Sequence, residues 1–160
     1  MLGAVGLAVA DRIQETARQV MSRAGETPAA LVVIGYGTEP SNDQLRAILG
    51  LSHPGAVRLV DRLVADGLVE RRSGRDRRTL ALHLTEKGHL AREELLAGRL
   101  AAIKTLVSPL TPSEQDQLGA LLSRILTGLP SSDLERCQLC RLCDGRICTD
   151  CPIPAEFNAD

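Results

Sequence analysis

The stretch from residue 41 to residue 84 constrains the fold most, because two helix signals are followed there by two strand signals. Ser41 with Gln44 three residues later forms a capping box. Ser52 with Pro54 in the first turn marks the start of a second helix. Only Gly-Leu separates the two predicted helices. Such a short connection is typical of a helix-turn-helix, in which the helices pack against each other at an angle.

A β-hairpin is predicted directly after the second helix, in the segment GLVERRSGRDRRTLALHLT. Leu80, Leu82 and Leu84 alternate with smaller or polar residues, which is the period of a strand. Between the two runs, residues 71–78 contain five arginines and one aspartate, so the tip of the hairpin is basic. Two helices followed by a basic hairpin have the order of a winged helix-turn-helix, whose second helix enters the DNA major groove.

Helical spacing dominates the rest of the chain. Further helix starts are predicted at Thr27-Pro28, Thr85-Glu86 and Thr111, the last with Glu114 completing a capping box. The fold class is therefore mainly α with a small β-hairpin wing, an α+β arrangement. We divide the chain into an N-terminal helix, a DNA-binding domain, C-terminal helices and a cysteine-rich tail, at residues 1–25, 26–88, 89–130 and 131–160. Residues 128–136 read as a linker, since polar and turn residues dominate them.

Composition excludes several classes of protein. No apolar run approaches the roughly 18 residues of a membrane helix, and the N-terminus reads as an amphipathic helix rather than a signal peptide. We therefore expect a cytoplasmic protein that is not an enzyme. The sequence has no Ser/His/Asp set, no Gly-rich phosphate loop and no clustered carboxylates, and its three histidines share no ligand spacing. With one Tyr, one Phe and no Trp, it offers no stacking platform for single-stranded nucleic acid.

The second predicted helix carries a candidate DNA-reading face. If Val57, Val60, Leu63 and Val64 point to the core, four residues at helical spacing point away: Gly55, Arg58, Leu59 and Arg62. Arginines there can reach guanine edges or phosphates. The positive end of the helix can hold a phosphate, assisted by Ser52 and His53. Ser41, at the start of the first helix, completes the predicted contacts.

Leu51 to Gly88, LSHPGAVRLVDRLVADGLVERRSGRDRRTLALHLTEKG, resembles the MarR family of bacterial transcription regulators. The likeness is dense at Gly67-Leu68-Val69, Arg71, Asp76, Arg78, Leu84-Thr85 and Gly88. It covers roughly residues 5–128 and is strongest over 41–88. In that family the wing bears an Asp-x-Arg motif, so the resemblance implies that Arg78 enters the minor groove and that Asp76 orients it. Arg75 precedes the motif and Arg77 is its middle residue, and both belong to the predicted interface.

The resemblance also implies a homodimeric repressor that reads a palindromic operator in double-stranded DNA. Family members pair their terminal helices in a shared bundle, which residues 3–23, 89–107 and 111–128 can supply here. Many members bind a small aromatic effector between the bundle and the DNA-binding lobe. This chain offers that cleft few aromatic walls, with Tyr36 as the candidate.

All five cysteines lie in a short C-terminal segment, CQLCRLCDGRICTDCP, outside the usual family core. Thiols in the cytoplasm stay reduced, so clustered cysteines favour metal binding or redox sensing over structural disulfides. C-x2-C steps let two thiolates turn onto one ion. A bound metal would also order a peptide that is too small and polar to fold alone.

The spacing leaves four readings open. Zinc can be held by Cys140, Cys143, Cys148 and Cys151, which is the preferred set, with Cys137 spare. Zinc can instead use Cys137, Cys140, Cys143 and Cys151, a spacing that resembles the structural zinc lobe of medium-chain alcohol dehydrogenases. The C-x2-C-x2-C start and Cys-Pro end also fit an iron–sulfur cluster. The fourth reading is a thiol–disulfide switch without metal.

Two alternatives to a simple repressor follow from this tail. In the first, the cysteines sense a metal or redox change and control DNA binding. In the second, from another class, the chain is a thiol redox protein or electron carrier with the helices as scaffold, although nothing outside the tail supports that reading.

Overall fold

The structure, a computed structural model, describes residues 1–21, 25–74, 80–148 and 150–153. Helices and one hairpin follow each other along the chain, and the hairpin is a two-stranded antiparallel sheet. The elements are α1 (Leu2–Met21), α2 (Thr27–Ile34), α3 (Asn42–Leu49), α4 (His53–Ala65), β1 (Val69–Ser73), β2 (Leu80–Leu84), α5 (Glu86–Val107), α6 (Pro112–Thr127) and α7 (Asp133–Cys140). The predicted fold class, mainly α with a small β-hairpin wing, is confirmed.

The predicted helix starts are mostly confirmed by their capping hydrogen bonds. The Ser41 hydroxyl accepts from the backbone N–H of Gln44 at 3.3 Å, and the Gln44 side chain accepts from the Ser41 N–H at 2.9 Å. Thr111 and Glu114 form the same reciprocal pair at the start of α6. Such caps satisfy amide groups that have no partner within the helix, and each stabilises the start by about 1 kcal/mol.

Two local predictions were wrong. The N-cap of α2 is Glu26 rather than Thr27, which is buried inside the first turn. The stretch 128–136 is not simply a linker, because α7 begins within it at Asp133. The Ser132 side chain caps that helix by accepting from the N–H of Glu135. Capping residues and linker residues are both mainly polar, so the sequence does not distinguish a capped helix start from a linker here.

The apolar core lies where α2, α3, α4 and the wing meet. Every residue of α2 is buried, so this short helix is the centre of the lobe. Leu45 of α3 and Leu63 of α4 are each no more than 1% exposed. Both belong to the same buried cluster as Leu82 of the wing. The helix-turn-helix and the wing therefore form one packed unit.

The wing departs from strict alternation. The strands pair with Val69 opposite Leu84 and Ser73 opposite Leu80. Leu80 is 59% exposed, whereas the adjacent Ala81 and Leu82 are both buried. Because β2 contacts α2, α3 and α5, both of its faces are covered once the strand passes Leu80.

Helix α5 is anchored to the turn that precedes the wing. The Thr85 hydroxyl donates to the carbonyl of Gly67 at 2.6 Å, and the Thr85 N–H donates to the carbonyl of Leu68 at 3.1 Å. A Cβ atom on Gly88 would lie 2.0 Å from the Leu68 carbonyl oxygen, so only glycine permits this approach. The DNA-binding lobe is thus joined directly to the long helix that follows it.

The terminal helices are covered less well. Helix α1 packs along α5, where Ala17, Leu95 and Leu96 are buried together with Val32 of α2. No residue of α6 is buried within this single chain. Over the part of the chain that the structure describes, no helix has the length and apolar character needed to cross a bilayer.

Candidate DNA interface and cysteine site

The turn between α3 and α4 sets the angle of the candidate recognition helix. Helix α3 ends at Leu49 and is capped by Gly50, which adopts a left-handed conformation with φ of 64°. Two residues later the Ser52 hydroxyl accepts from the N–H of Gly55 and caps α4. A left-handed residue reverses the chain at little cost only when it is glycine. The turn therefore explains why α4 can leave α3 so abruptly.

Helix α4 presents a basic outer face, although not with all the predicted residues. Arg58 and Arg62 are exposed, as predicted. The Arg62 Nε donates to the Arg58 carbonyl at 3.2 Å, so the two side chains share one surface. The prediction for Leu59 was wrong, because this side chain is only 3% exposed and belongs to the core.

The inner face of α4 is accordingly shifted from the predicted one. Its buried residues are Ala56, Leu59, Val60 and Leu63. Val57 and Val64 are only partly buried. The predicted stripe was Val57, Val60, Leu63 and Val64 and did not include Ala56, so the predicted inner face is turned relative to the observed one. Gly55 is half-buried at the start of the helix.

The predicted phosphate contacts lie at helix starts. Ser52 and His53 are exposed, whereas Ser41 is partly buried. Both serine hydroxyls accept backbone N–H groups, and each can still donate its own proton to a phosphate. His53 Nδ1 lies 3.7 Å from a carboxylate oxygen of Asp43. The phosphate roles of these three residues stay predictions.

Part of the predicted basic patch is neutralised. An Nη atom of Arg71 lies 2.5 Å from the Asp61 carboxylate, which ties the wing to α4. Arg72 pairs with Glu70 of the same strand. The remaining charged residues of the patch lie outside the described residues, and their DNA contacts stay predictions: Arg75, Asp76, Arg77 and Arg78.

The five cysteines line a single cavity of about 420 Å³. The tail contributes Cys137, Cys140, Cys143, Cys148 and Cys151, together with Arg136 and Gly145. The other wall comes from the DNA-binding lobe, through Val33, Tyr36, Thr38 and Ile48. The cavity is therefore a boundary between the tail and the helix-turn-helix, which the sequence did not indicate.

Four of the thiols influence one another's ionisation. Cys140 interacts most with Cys143, and Cys148 most with Cys151. Burial, and then the neighbouring Cys143, raises the pKa of Cys140 to about 11. Burial and then Cys151 raise the pKa of Cys148 as well. The thiols of Cys140 and Cys148 therefore hold their protons more tightly than usual, and a metal that binds them competes with those protons.

Tyr36 connects the tail to the lobe. Its hydroxyl lies 2.9 Å from the Cys140 carbonyl oxygen and 2.6 Å from that of Cys143, so its proton is shared between two acceptors. Burial raises the pKa of this hydroxyl, with the two nearby thiols acting in the same direction. The Arg92 guanidinium lies over the ring, 5.9 Å from its centroid. The Tyr36 hydroxyl is therefore hydrogen-bonded to the tail, and the Tyr36 ring contacts a cation of α5.

Further contacts hold the tail in place. Gln138 of α7 donates to the carbonyl of Ala47 in α3 at 3.1 Å. Arg146 pairs with Glu93 of α5 at 2.8 Å. The same guanidinium bonds the Asp144 carboxylate, which lowers the pKa of Asp144. The Thr127 hydroxyl, at the end of α6, donates to the Pro152 carbonyl at 3.1 Å. The tail thus bridges three separate helices.

Metal binding at this cavity stays a prediction. Across residues 1–21, 25–74, 80–148 and 150–153, no group of three or more His, Cys, Asp or Glu side chains is arranged so that it could hold a metal ion. The donor chemistry nevertheless fits a thiophilic metal, since sulfur is the principal donor lining the cavity.

Helices α3 and α4 with the adjoining two-stranded wing define a winged helix-turn-helix protein. The family model for the MarR family matches residues 27–79, which include α2, α3, α4 and β1 and end just before β2. The chain is 32% identical over 122 residues to the transcriptional repressor MdtR of Bacillus subtilis, covering 74% of this chain and 79% of that one. The chain therefore belongs to the MarR family of transcription regulators, which are not enzymes.

Other relatives agree with this membership. The chain is 39% identical over 95 residues to the transcriptional repressor MprA of Escherichia coli, covering 59% of this chain and 53% of MprA. It thus spans about half the length of that relative. A MepR mutant from Staphylococcus aureus, solved bound to an oligodeoxyribonucleotide, superposes with a TM-score of 0.61 at 20% identity, covering 81% of this chain and 95% of MepR. That likeness shows the fold.

The two faces of α4 can be told apart by a pair of substitutions. We expect Leu59→Ala to lower the free energy of unfolding by about 2–5 kcal/mol, because it leaves a cavity in the core. Arg58→Ala should change it by less than about 0.5 kcal/mol, because the side chain is exposed. Urea unfolding followed by circular dichroism at equal protein concentration measures both. Equal stabilities of the two variants would contradict the observed orientation of α4.

Proposed function

We propose that this protein is a sequence-specific DNA-binding repressor that reads a palindromic operator in the cytoplasm. The observation that carries the proposal is the exposed arginine face of α4, next to the capped N-terminus of that helix and to the wing. Arginines on such a face can contact guanine edges, and the helix start can hold a phosphate. The repressor relatives and the DNA-bound MepR structure support this reading.

The operator-binding form is a homodimer. Helix α6 is a regular, well-capped helix with three large apolar side chains exposed along it: Leu121, Leu122 and Ile125. Helix α1 exposes Leu2, Val5 and Leu7. Amphipathic helices acquire stability by burying their apolar stripe. A second copy of the chain supplies an equivalent surface, and a two-fold axis then matches the palindromic operator.

The cysteine cavity holds a metal, either zinc or an iron–sulfur cluster. Zinc takes four sulfurs at about 2.3 Å in a tetrahedral site. An iron–sulfur cluster is likewise held by cysteine thiolates. Either group can draw its ligands from the cysteines that line this one cavity. The ligand set proposed is Cys140, Cys143, Cys148 and Cys151.

A small-molecule effector is a further proposal. CouR from Rhodococcus jostii, whose structure holds p-coumaroyl-CoA, resembles this chain with a TM-score of 0.61 at 25% identity, covering 78% of this chain and 87% of CouR. Tyr36, the aromatic candidate for an effector cleft, instead faces the cysteine cavity. Tyr36 is the only Phe, Tyr or Trp among the described residues, so an effector site elsewhere in that part of the chain would have to rely on non-aromatic walls.

The wing prediction concerns Arg78, which the resemblance places in the minor groove. We expect Arg78→Ala to weaken operator binding by roughly 10- to 100-fold, and to reduce the salt dependence by about one phosphate equivalent. Fluorescence anisotropy with a labelled duplex at several salt concentrations measures both quantities. Arg18→Ala is the matched control, because Arg18 is exposed and belongs to α1, which is part of neither the helix-turn-helix nor the wing. Wild-type binding by the Arg78 variant would refute the proposed wing contact.

The dimer prediction compares substitutions at two exposed apolar sites, one on α6 and one on the wing. We expect the double change Leu121→Asp and Ile125→Asp to give monomers, because buried carboxylates in the bundle are costly. Leu80→Asp, at the outer end of β2, should remain dimeric. Sedimentation equilibrium distinguishes the species by mass. A double variant that stays dimeric would rule out α6 as part of the interface.

The metal prediction is tested on protein purified without oxygen. We expect bound metal, either about one zinc per chain or iron and sulfide with a brown colour, and its loss in Cys140→Ser with Cys143→Ser. Cys137→Ser should keep the metal, because Cys137 is outside the proposed ligand set. Elemental analysis and visible absorption provide the measurement. A colourless protein with about one zinc per chain would favour the mononuclear reading.

A further inference from the structure

The wall of the cysteine cavity that faces the tail is built from the DNA-binding lobe itself. Val33 belongs to the wholly buried helix α2, and Ile48 belongs to α3. Ile48 also packs against the main core cluster. A group bound by the cysteines would therefore touch side chains that belong to the core of the helix-turn-helix. A group that enters or leaves the cavity therefore changes the contacts of α3 directly.

Direct hydrogen bonds strengthen this connection. Gln138 lies between Cys137 and Cys140 in α7, and its side chain donates to the carbonyl of Ala47 in α3. Tyr36 donates its hydroxyl proton to the carbonyls of Cys140 and Cys143, on the second C-x2-C step. The backbone that positions two proposed ligands is thus held by residues of the DNA-binding lobe. In turn, fixing the segment that carries Cys140 and Cys143 restrains α3.

The position of α3 determines that of α4. Leu45 and Leu49 of α3 share one buried cluster with Leu59, Val60 and Leu63 of α4. Because close-packed cores do not deform gradually, a shift of α3 carries the recognition helix with it. The cavity and the arginine face of α4 are therefore two ends of the same rigid unit.

We propose that a metal group bound by the tail cysteines clamps α3 through Tyr36, Ile48 and Gln138, and that losing this group lowers affinity for the operator. The proposal deepens the metal site of the proposed function and rests on it. Tyr36 acts as a positioning residue, because its hydroxyl holds the ligand loop and does not touch the DNA-reading face.

The direction of the effect follows from conformational entropy. Without a metal the tail is docked by α7, by hydrogen bonds to α3 and Tyr36, by the ion pair between Arg146 and Glu93, and by Leu142 against the core. A metal would add a direct link between its two halves, which restricts the tail further. A protein whose binding-competent state is only partly populated binds its ligand more weakly by that fraction. If the clamped state falls to about a tenth of the molecules, operator affinity falls about tenfold.

The decisive experiment compares one dimeric protein in three states. An operator duplex is first selected from random-sequence DNA with protein as purified without oxygen. Anisotropy then gives the dissociation constant before metal removal by a chelator, after removal, and after reconstitution with zinc or with ferrous iron and sulfide, whichever the purified protein holds. We expect affinity to fall at least about fivefold on removal and to return on reconstitution. Unchanged or tighter binding after removal would overturn the clamp.

Variants separate the clamp from general damage. Tyr36→Phe keeps the ring and removes the hydroxyl, so it should retain metal but show a smaller difference between its loaded and stripped forms. Thr127→Val removes the hydrogen bond between the tail and α6, away from α3, and should keep the full difference. An unchanged ratio in Tyr36→Phe would show that Tyr36 is not the link.

Metal content distinguishes the possible failures. Protein that binds metal and operator, but with the same affinity in both states, would refute the clamp and leave the proposed function intact. Protein that retains no iron and no zinc under any preparation would refute the metal site and the clamp together. The Arg78 variant tests DNA binding independently of both.

Discussion

The packing of α3 against α4 in one buried core is the interaction on which the rest of this structure depends. Leu45 and Leu63, almost without exposure, hold the two helices together, and the capped turn at Gly50 sets their angle. This packing turns Leu59 inward and leaves Arg58 and Arg62 outside. The wing and α5 are then attached to the same unit through Leu82 and Thr85.

The cysteine tail is part of this arrangement rather than an appendage. Tyr36, Gln138 and Arg146 connect it to the lobe and to α5, while Thr127 connects it to α6. A site placed at such a junction can affect both DNA binding and the position of the long helices. The dimer proposed from α1 and α6 would place two such junctions in one molecule.

Local signals were predictable where a few neighbouring residues decide the structure. The capping pairs at Ser41 and Thr111 satisfy backbone groups within one turn, so their residue types mark helix starts reliably. The prediction that Thr27 caps α2 was wrong, because Thr27 is buried in the protein interior and lies inside the first turn of the helix. The prediction for Leu59 was wrong because helical spacing alone allows two adjacent faces of α4 to be the buried one. Tertiary packing buries the face that includes Ala56.

By itself the sequence determined the order of the elements, the winged helix-turn-helix class and the separation of the cysteines into a tail. Those features follow from capping, periodicity and composition, which act over short distances along the chain. Only the tertiary structure decided that Tyr36 meets Cys140 and Cys143, more than a hundred residues away, and that α3 forms one wall of their cavity. Contacts of that kind depend on how the helices pack in three dimensions, and no local pattern records them.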